Sequence, residues 1–171
     1  MPADSPAILI AYDGSAGAEA AIDEAGRLFP GWRAVVVSVW WSVRSAAPGG
    51  RVVLPDEMIR TAVENLDAAA CQVAADTAER GVEQARAAGL DAGAAVERAD
   101  PNVAATLVRM AHDREVAAVV VVGSRGRSGL RAALLGSVSN AVVHHCRRPV
   151  LVVHPSAEPM PVFEPEPAAL P

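Results

Sequence analysis

The chain has 171 residues, of which 51% are hydrophobic, and a formal net charge of −5. These values fit one folded domain and exclude a chain that is disordered throughout. The net negative charge disfavours general binding to nucleic acid or anionic lipid, because both attract positive charge. All 15 basic residues are arginine, which excludes mechanisms that need a lysine, such as a Schiff base or a Walker-type phosphate loop.

No apolar run approaches the ~18 residues that a transmembrane helix needs. The first residues lack the basic flank and the apolar stretch of a signal peptide. The two cysteines, Cys71 and Cys146, are too few for a disulfide framework. We therefore expect a cytoplasmic protein with reduced thiols, no membrane contact and no nucleic-acid partner.

The first third of the chain predicts a strand, a helix and a second strand. Residues 7–12 are apolar throughout, as a strand covered on both faces should be. Ser15 closes a turn and is a suitable N-cap for a helix over 16–29. Pro30-Gly31 ends that helix, and residues 34–41 are rich in β-branched and aromatic side chains, which predicts the second strand.

The middle of the chain predicts a loop, a long helix and a third strand. Residues 42–54 contain Pro48-Gly49-Gly50, which indicates a loop. Pro55 suits the first turn of a helix that extends to residue 88, and Gly81 is a point at which this helix could break. A third strand is predicted over residues 92–97.

The last third predicts two more strands, each preceded by a helix. The helices are predicted at 101–112 and 137–145, and the strands at 117–122 and 149–154. A glycine-rich loop at 123–129 follows the fourth strand.

Alternation of strands and helices favours an α/β fold: an open, parallel, five-stranded sheet with helices on both faces. We expect the strand order 3-2-1-4-5, which makes the first and fourth strands neighbours at the point where the order reverses. Ligands bind at such points in open α/β sheets. A single domain is predicted over 1–155, and a disordered tail rich in Pro and Glu over 156–171.

The glycine-rich loop has the features of a phosphate-binding site. Gly123 and Gly126 follow the fourth strand, where glycine permits close approach to the backbone. Gly136-Ser137 opens the next helix, whose free N–H groups and dipole favour an anion. Two loop arginines, Arg125 and Arg127, add positive charge. The alternative is an ordinary strand-to-helix connection, in which the glycines only allow a tight turn.

At this point the chain resembles the universal stress protein family, in its ATP-binding type. The family pattern is Gly, two residues, Gly, nine residues, Gly, then Ser or Thr, and it is matched by Gly123, Gly126, Gly136 and Ser137. The resemblance extends over roughly residues 7–154. It implies a Rossmann-like fold of the adenine nucleotide α-hydrolase-like kind.

The resemblance also implies roles for individual residues. Asp13 is expected to contact the ribose or the adenine, and the backbone near Val39 the edge of the adenine. The alternative for Asp13 is a role in the turn or in capping the first helix. Six positions match the family's phosphate-binding residues: Gly123, Gly126, Gly136, Ser137, Val138 and Ser139.

The implied ligand is ATP, with or without Mg²⁺, and cyclic AMP or AMP is the alternative. The implied function is that of a nucleotide-dependent stress-response regulator that acts on a protein partner the sequence does not name. A slow ATPase is the alternative, although the sequence offers no general base beside the glycine loop. A homodimer is expected through the last strand, Val150 to Val153, because an exposed apolar edge favours pairing. No catalytic or metal-binding residue is predicted.

Overall fold

The computed structural model describes residues 7–43, 56–112, 117–126 and 135–155. Strands and helices alternate along these residues, as the sequence predicts. In chain order the elements are β1 (Ile8–Ala11), α1 (Ala16–Leu28), β2 (Arg33–Trp40), α2 (Asp56–Ala87), β3 (Asp91–Arg98), α3 (Val103–His112), β4 (Val119–Gly123), α4 (Ser137–His145) and β5 (Val150–Val153).

The five strands of the described residues form one parallel sheet in the order β3-β2-β1-β4-β5. The predicted fold class and strand order are therefore confirmed. Ile10 of β1 pairs with Val36 of β2 on one side and with Val121 of β4 on the other. The strand order reverses between β1 and β4, which leaves a crevice at their carboxyl ends.

Side chains of the central strands alternate between two cores. Ile8 and Ile10 of β1 are fully buried against α1 and α2, together with Val36 of β2. Leu9 of β1 and Val37 of β2 point to the opposite face and pack beneath α3 and α4. Because both faces are covered, the strands are apolar throughout rather than alternating.

Side-chain hydrogen bonds at the N-cap position explain where two of the helices begin. The Ser15 hydroxyl accepts a hydrogen bond from the Ala18 N–H at 3.3 Å, so the predicted N-cap of α1 is confirmed. The third helix begins at Val103 rather than at residue 101, because the Asn102 side chain accepts the Ala105 N–H at 2.9 Å and occupies the N-cap position.

Helix α2 passes through Gly81 without a break. A Cβ atom at this position would lie 2.8 Å from both Tyr12 Cδ1 and Val36 Cγ1. Glycine therefore allows α2 to pack closely against β1 and β2. Glycine at position 81 therefore serves the packing of α2 and does not end the helix.

The predicted loop lies outside the described residues from residue 44 onward, and so do Arg127 and the predicted tail at 156–171. None of the helices in the described ranges is both long enough and apolar enough to cross a bilayer.

We expect the substitution Gly81→Ala to lower the free energy of unfolding by about 1–2 kcal/mol, because overpacking in a closely packed core outweighs the gain of about 1 kcal/mol in helix propensity. Chemical denaturation followed by circular dichroism measures the change.

The matched control is Gly93→Ala in β3, where an added Cβ meets nothing within 4 Å. The control should retain the parent stability. A Gly81→Ala protein as stable as the parent would contradict the close packing of α2.

Candidate functional site

A cavity of about 360 Å³ opens at the carboxyl edge of the sheet, between the ends of β1 and β4. This volume lies within the range of small-molecule sites. Nine of the ten residues that the sequence analysis singles out line this cavity, and the tenth, Arg127, lies outside the described residues. The nine are Asp13, Val39, Gly123, Arg125, Gly126, Gly136, Ser137, Val138 and Ser139.

The turn after β1 fixes the position of Asp13. Its Oδ1 atom accepts the Ser15 N–H at 3.0 Å, which is the turn role that the sequence left as an alternative. The carboxylate also lines the cavity, so the two roles are compatible. A Cβ on Gly126 would lie 2.8 Å from Asp13 Oδ2. The loops after β1 and β4 therefore approach each other closely, and a side chain at position 126 would displace the Asp13 carboxylate.

The first turn of α1 packs directly against the end of β4. A Cβ atom on Gly123 would lie 2.6 Å from the Gly17 carbonyl oxygen, and one on Gly17 would collide with the Arg125 carbonyl oxygen. Both contacts are with backbone, which cannot move aside as a flexible side chain can. Glycine at both positions allows the helix start and the strand end to form adjacent walls of the cavity.

The start of α4 is tied to the same strand end. The Gly136 N–H donates to the Ser124 carbonyl at 2.8 Å. The Ser139 hydroxyl lies 3.0 Å from the carbonyl oxygens of Ser124 and Gly136, and its residue is only 2% exposed. Ser139 therefore holds the helix start in place, in addition to lining the cavity.

This arrangement directs the amino end of α4 into the cavity. The N–H groups of Ser137, Val138 and Ser139 belong to the first turn, where no carbonyl of the same helix precedes them. Together with the helix dipole they favour an anion. Arg125 lines the same cavity and contributes positive charge.

The opposite part of the cavity is apolar. Val37 and Val39 of β2 form one side, and Val103 and Leu107 of α3 form the other. The contribution of α3 was not predicted from the sequence. The i, i+4 spacing of Val103 and Leu107 predicts a buried helix face but does not say which end of that face meets a cavity.

Tyr12 is a further lining residue that the sequence analysis did not assign to the site. Burial raises the pKa of the Tyr12 hydroxyl above its usual range. The Glu19 and Asp13 carboxylates add to this rise in pKa, and the Arg80 guanidinium opposes it. The hydroxyl is therefore protonated at neutral pH.

The described residues contain no group of three or more His, Cys, Asp or Glu side chains that could hold a metal ion. His112, at the end of α3, instead accepts the Arg147 N–H at its Nε2 atom, at 3.2 Å.

The sheet order and the site at its switch point define an α/β protein of the Rossmann-like class. A model of the universal stress protein family matches residues 6–154. The chain therefore belongs to the universal stress protein family, as the resemblance implies.

A segment of 40 residues is 62% identical to a universal stress protein of Mycobacterium tuberculosis. The match covers 23% of this chain and 14% of that relative, so this chain spans a small part of the relative's length.

Solved structures share the fold over most of the chain. Hypothetical protein MJ0577 superposes with a TM-score of 0.71 at 19% identity, over 91% of this chain and 99% of that one. A universal stress protein in complex with cAMP gives a TM-score of 0.58 at 22% identity, over 90% and 99% of the two chains. The universal stress protein from Archaeoglobus fulgidus in complex with dAMP gives a TM-score of 0.55 at 22% identity, over 87% of this chain and 98% of that one. Identities this low establish the fold alone.

Substitutions of the two serines in the first turn of α4 should have different effects on the free energy of unfolding. Ser139→Ala removes a buried hydroxyl that lies within hydrogen-bonding distance of two carbonyl oxygens and should lower the free energy of unfolding by about 1–2 kcal/mol. Ser137→Ala alters an exposed side chain and should leave the unfolding free energy within about 0.5 kcal/mol of the parent. Denaturant titration measures both changes. Equal stability of the two variants would contradict the structural role of Ser139.

Proposed function

We propose that this protein binds ATP in the cavity between β1 and β4 and acts in the cytoplasm as a nucleotide-dependent regulator. The observation that carries the proposal is the convergence of nine predicted residues on one cavity. These residues come from the ends of β1, β2 and β4 and from the start of α4, which are distant in sequence.

The two halves of the cavity fit the two halves of the ligand. The wall formed by Val39, Val103 and Leu107 suits an apolar base, and Asp13 lines the same cavity, where the family resemblance implies contact with the ribose or the base. The start of α4 and Arg125 suit the phosphates. The cAMP and dAMP held by two proteins of the same fold support an adenine nucleotide.

Cyclic AMP is the second candidate ligand, and the complex of a structurally similar protein with cAMP favours it. The two candidates differ in what occupies the amino end of α4. A triphosphate offers several charges to the first-turn N–H groups and to Arg125, whereas a cyclic monophosphate offers one.

Calorimetric titration of nucleotide-stripped protein with ATP and Mg²⁺, and separately with cyclic AMP, tests the proposal. We expect saturable binding near one ATP per chain. Tighter binding of cyclic AMP than of ATP would support the proposed site but with cyclic AMP as its ligand. A folded protein that binds neither nucleotide would contradict the proposed function.

Gly136→Val should reduce ATP affinity by more than about 100-fold and leave the fold intact. A Cβ at position 136 would lie 3.4 Å from the Ser124 carbonyl oxygen and 3.5 Å from Arg125 Cα, which are ordinary contacts. The added methyl groups would occupy the phosphate end of the cavity. The same calorimetric titration measures the loss.

Gly93→Val is the matched control, since it adds the same side chain at an open position of β3. It should bind ATP as the parent does. Undiminished affinity in Gly136→Val would place the phosphates elsewhere.

The edge of the sheet supports a further part of the proposal, a homodimer through β5. This strand is apolar and half-buried, and it stands at the end of the strand order. Pro149 and Val153 offer their carbonyls to N–H groups of Val120 and Ser124, at 2.9 and 2.7 Å. Because bonding residues alternate along a parallel strand, the N–H and C=O groups of Val152 point away from β4.

Val152→Pro should therefore abolish the dimer and preserve the fold, because proline removes an outward N–H and is tolerated at a sheet edge. Val152→Thr keeps the N–H group and serves as the control. Light scattering at micromolar concentration should give the mass of two chains for the parent and the control, and of one chain for Val152→Pro. A monomeric parent would contradict the dimer.

A further inference from the structure

Strand β2 presents alternate residues to the two faces of the sheet, and only one of these faces contains the cavity. Ala34 and Val36 pack in the core beneath α1 and α2. Val37 and Val39 pack in the core beneath α3 and α4 and line the cavity. The direction of each side chain near the end of β2 therefore decides whether it can reach a ligand.

The alternation continues beyond the last residue of the strand. The Trp40 carbonyl accepts the Ala99 N–H at 2.8 Å, which holds the chain beside the end of β3. Ser42 is 1% exposed, and its hydroxyl donates to Asp67 Oδ2 at 2.6 Å. The next N–H group, that of Val43, donates to Asp67 Oδ1 at 2.8 Å.

Asp67 belongs to α2, so Ser42 faces the layer of α1 and α2, as Val36 does. Trp41 lies between two residues that are fixed by hydrogen bonds, and continued alternation predicts that its side chain points to the other face. It is therefore the next residue after Val39 on the side of the cavity, about 6.6 Å further along the chain.

Trp41 is 49% exposed, which is unusual for a large aromatic side chain on a face that is otherwise buried. On β2 the cavity lining ends at Val39, and Trp41 is the next residue on that face of the chain. A planar base that contacts Val39 would extend toward the indole ring.

We propose that Trp41 stacks on the base of the bound nucleotide and makes the site selective for a purine. The proposal rests on the proposed function, because it assumes a nucleotide whose base lies on the Val39 side. Stacking is an attraction between π faces that grows with their overlap, so a purine gains more than a pyrimidine. The phosphates contact α4 at the other end of the cavity and should not sense the indole.

The test compares three ligands: ATP, UTP and inorganic tripolyphosphate, which has no base. For Trp41→Ala we expect ATP affinity to fall about 5- to 100-fold, in line with the loss of one base–aromatic stack. The preference for ATP over UTP should shrink in this variant, and tripolyphosphate affinity should stay at the parent value. Trp41→Phe retains a ring and should recover part of the ATP affinity.

Trp32→Ala is the matched control. Trp32 is also exposed, at 41%, but it precedes β2 at the amino edge of the sheet and contacts Phe29, with ring centroids 5.4 Å apart. Its removal should leave all three affinities unchanged.

Fluorescence provides a second measurement that does not depend on the Trp41→Ala variant. The chain has three tryptophans, and replacing Trp32 and Trp40 with phenylalanine leaves Trp41 as the single indole emitter. ATP should quench this emission, and tripolyphosphate should not.

The outcomes distinguish the role of Trp41 from the existence of the nucleotide site. ATP affinity in Trp41→Ala within twofold of the parent, with no quenching by ATP, would overturn the role of Trp41 and leave the nucleotide site intact. An equal loss of ATP and tripolyphosphate affinity would show a structural effect and would also overturn stacking. A parent protein that binds no ATP would overturn the site and the stacking together.

Discussion

The close approach of α1 to the end of β4 is the contact on which the rest of the site depends. A Cβ atom on Gly123 would meet the backbone of Gly17, and one on Gly17 would meet the backbone of Arg125, so neither position has room for a side chain. The contact brings the turn that holds Asp13 next to the glycine loop. A wider separation of these elements would open the cavity and would separate Asp13 from Gly126, whose missing Cβ leaves room for the carboxylate.

The polar end of the cavity is built largely from backbone groups. The Ser124 carbonyl accepts the Gly136 N–H and also lies within hydrogen-bonding distance of the Ser139 hydroxyl. One carbonyl thus fixes the start of α4 relative to the end of β4. A helix start held in this way presents its first N–H groups in a fixed direction before any ligand arrives, which lowers the entropic cost of binding. In the proposed function, these N–H groups and Arg125 take the place of a lysine, which the chain does not contain.

Each face of the sheet has its own role around the site. The layer of α1 and α2 supports the turn after β1 and fixes the end of β2 through Asp67. The layer of α3 contributes the apolar wall through Val103 and Leu107. The sheet and its two helical layers belong to a fold that distant structures share.

The strand order 3-2-1-4-5 was an expectation that the observed strand pairing confirms. The sequence by itself determined the alternation of strands and helices and the glycine and serine positions around the cavity. These features are local: apolar runs, caps and glycine spacing are properties of short segments. Only the tertiary structure decided that Gly81 serves packing, that Ser139 bonds the Ser124 carbonyl, and that α3 lines the cavity. Each of these depends on atoms distant in sequence. The periodicity of a helix predicts that a face is buried, but the element that buries it is chosen by the packing of the whole chain.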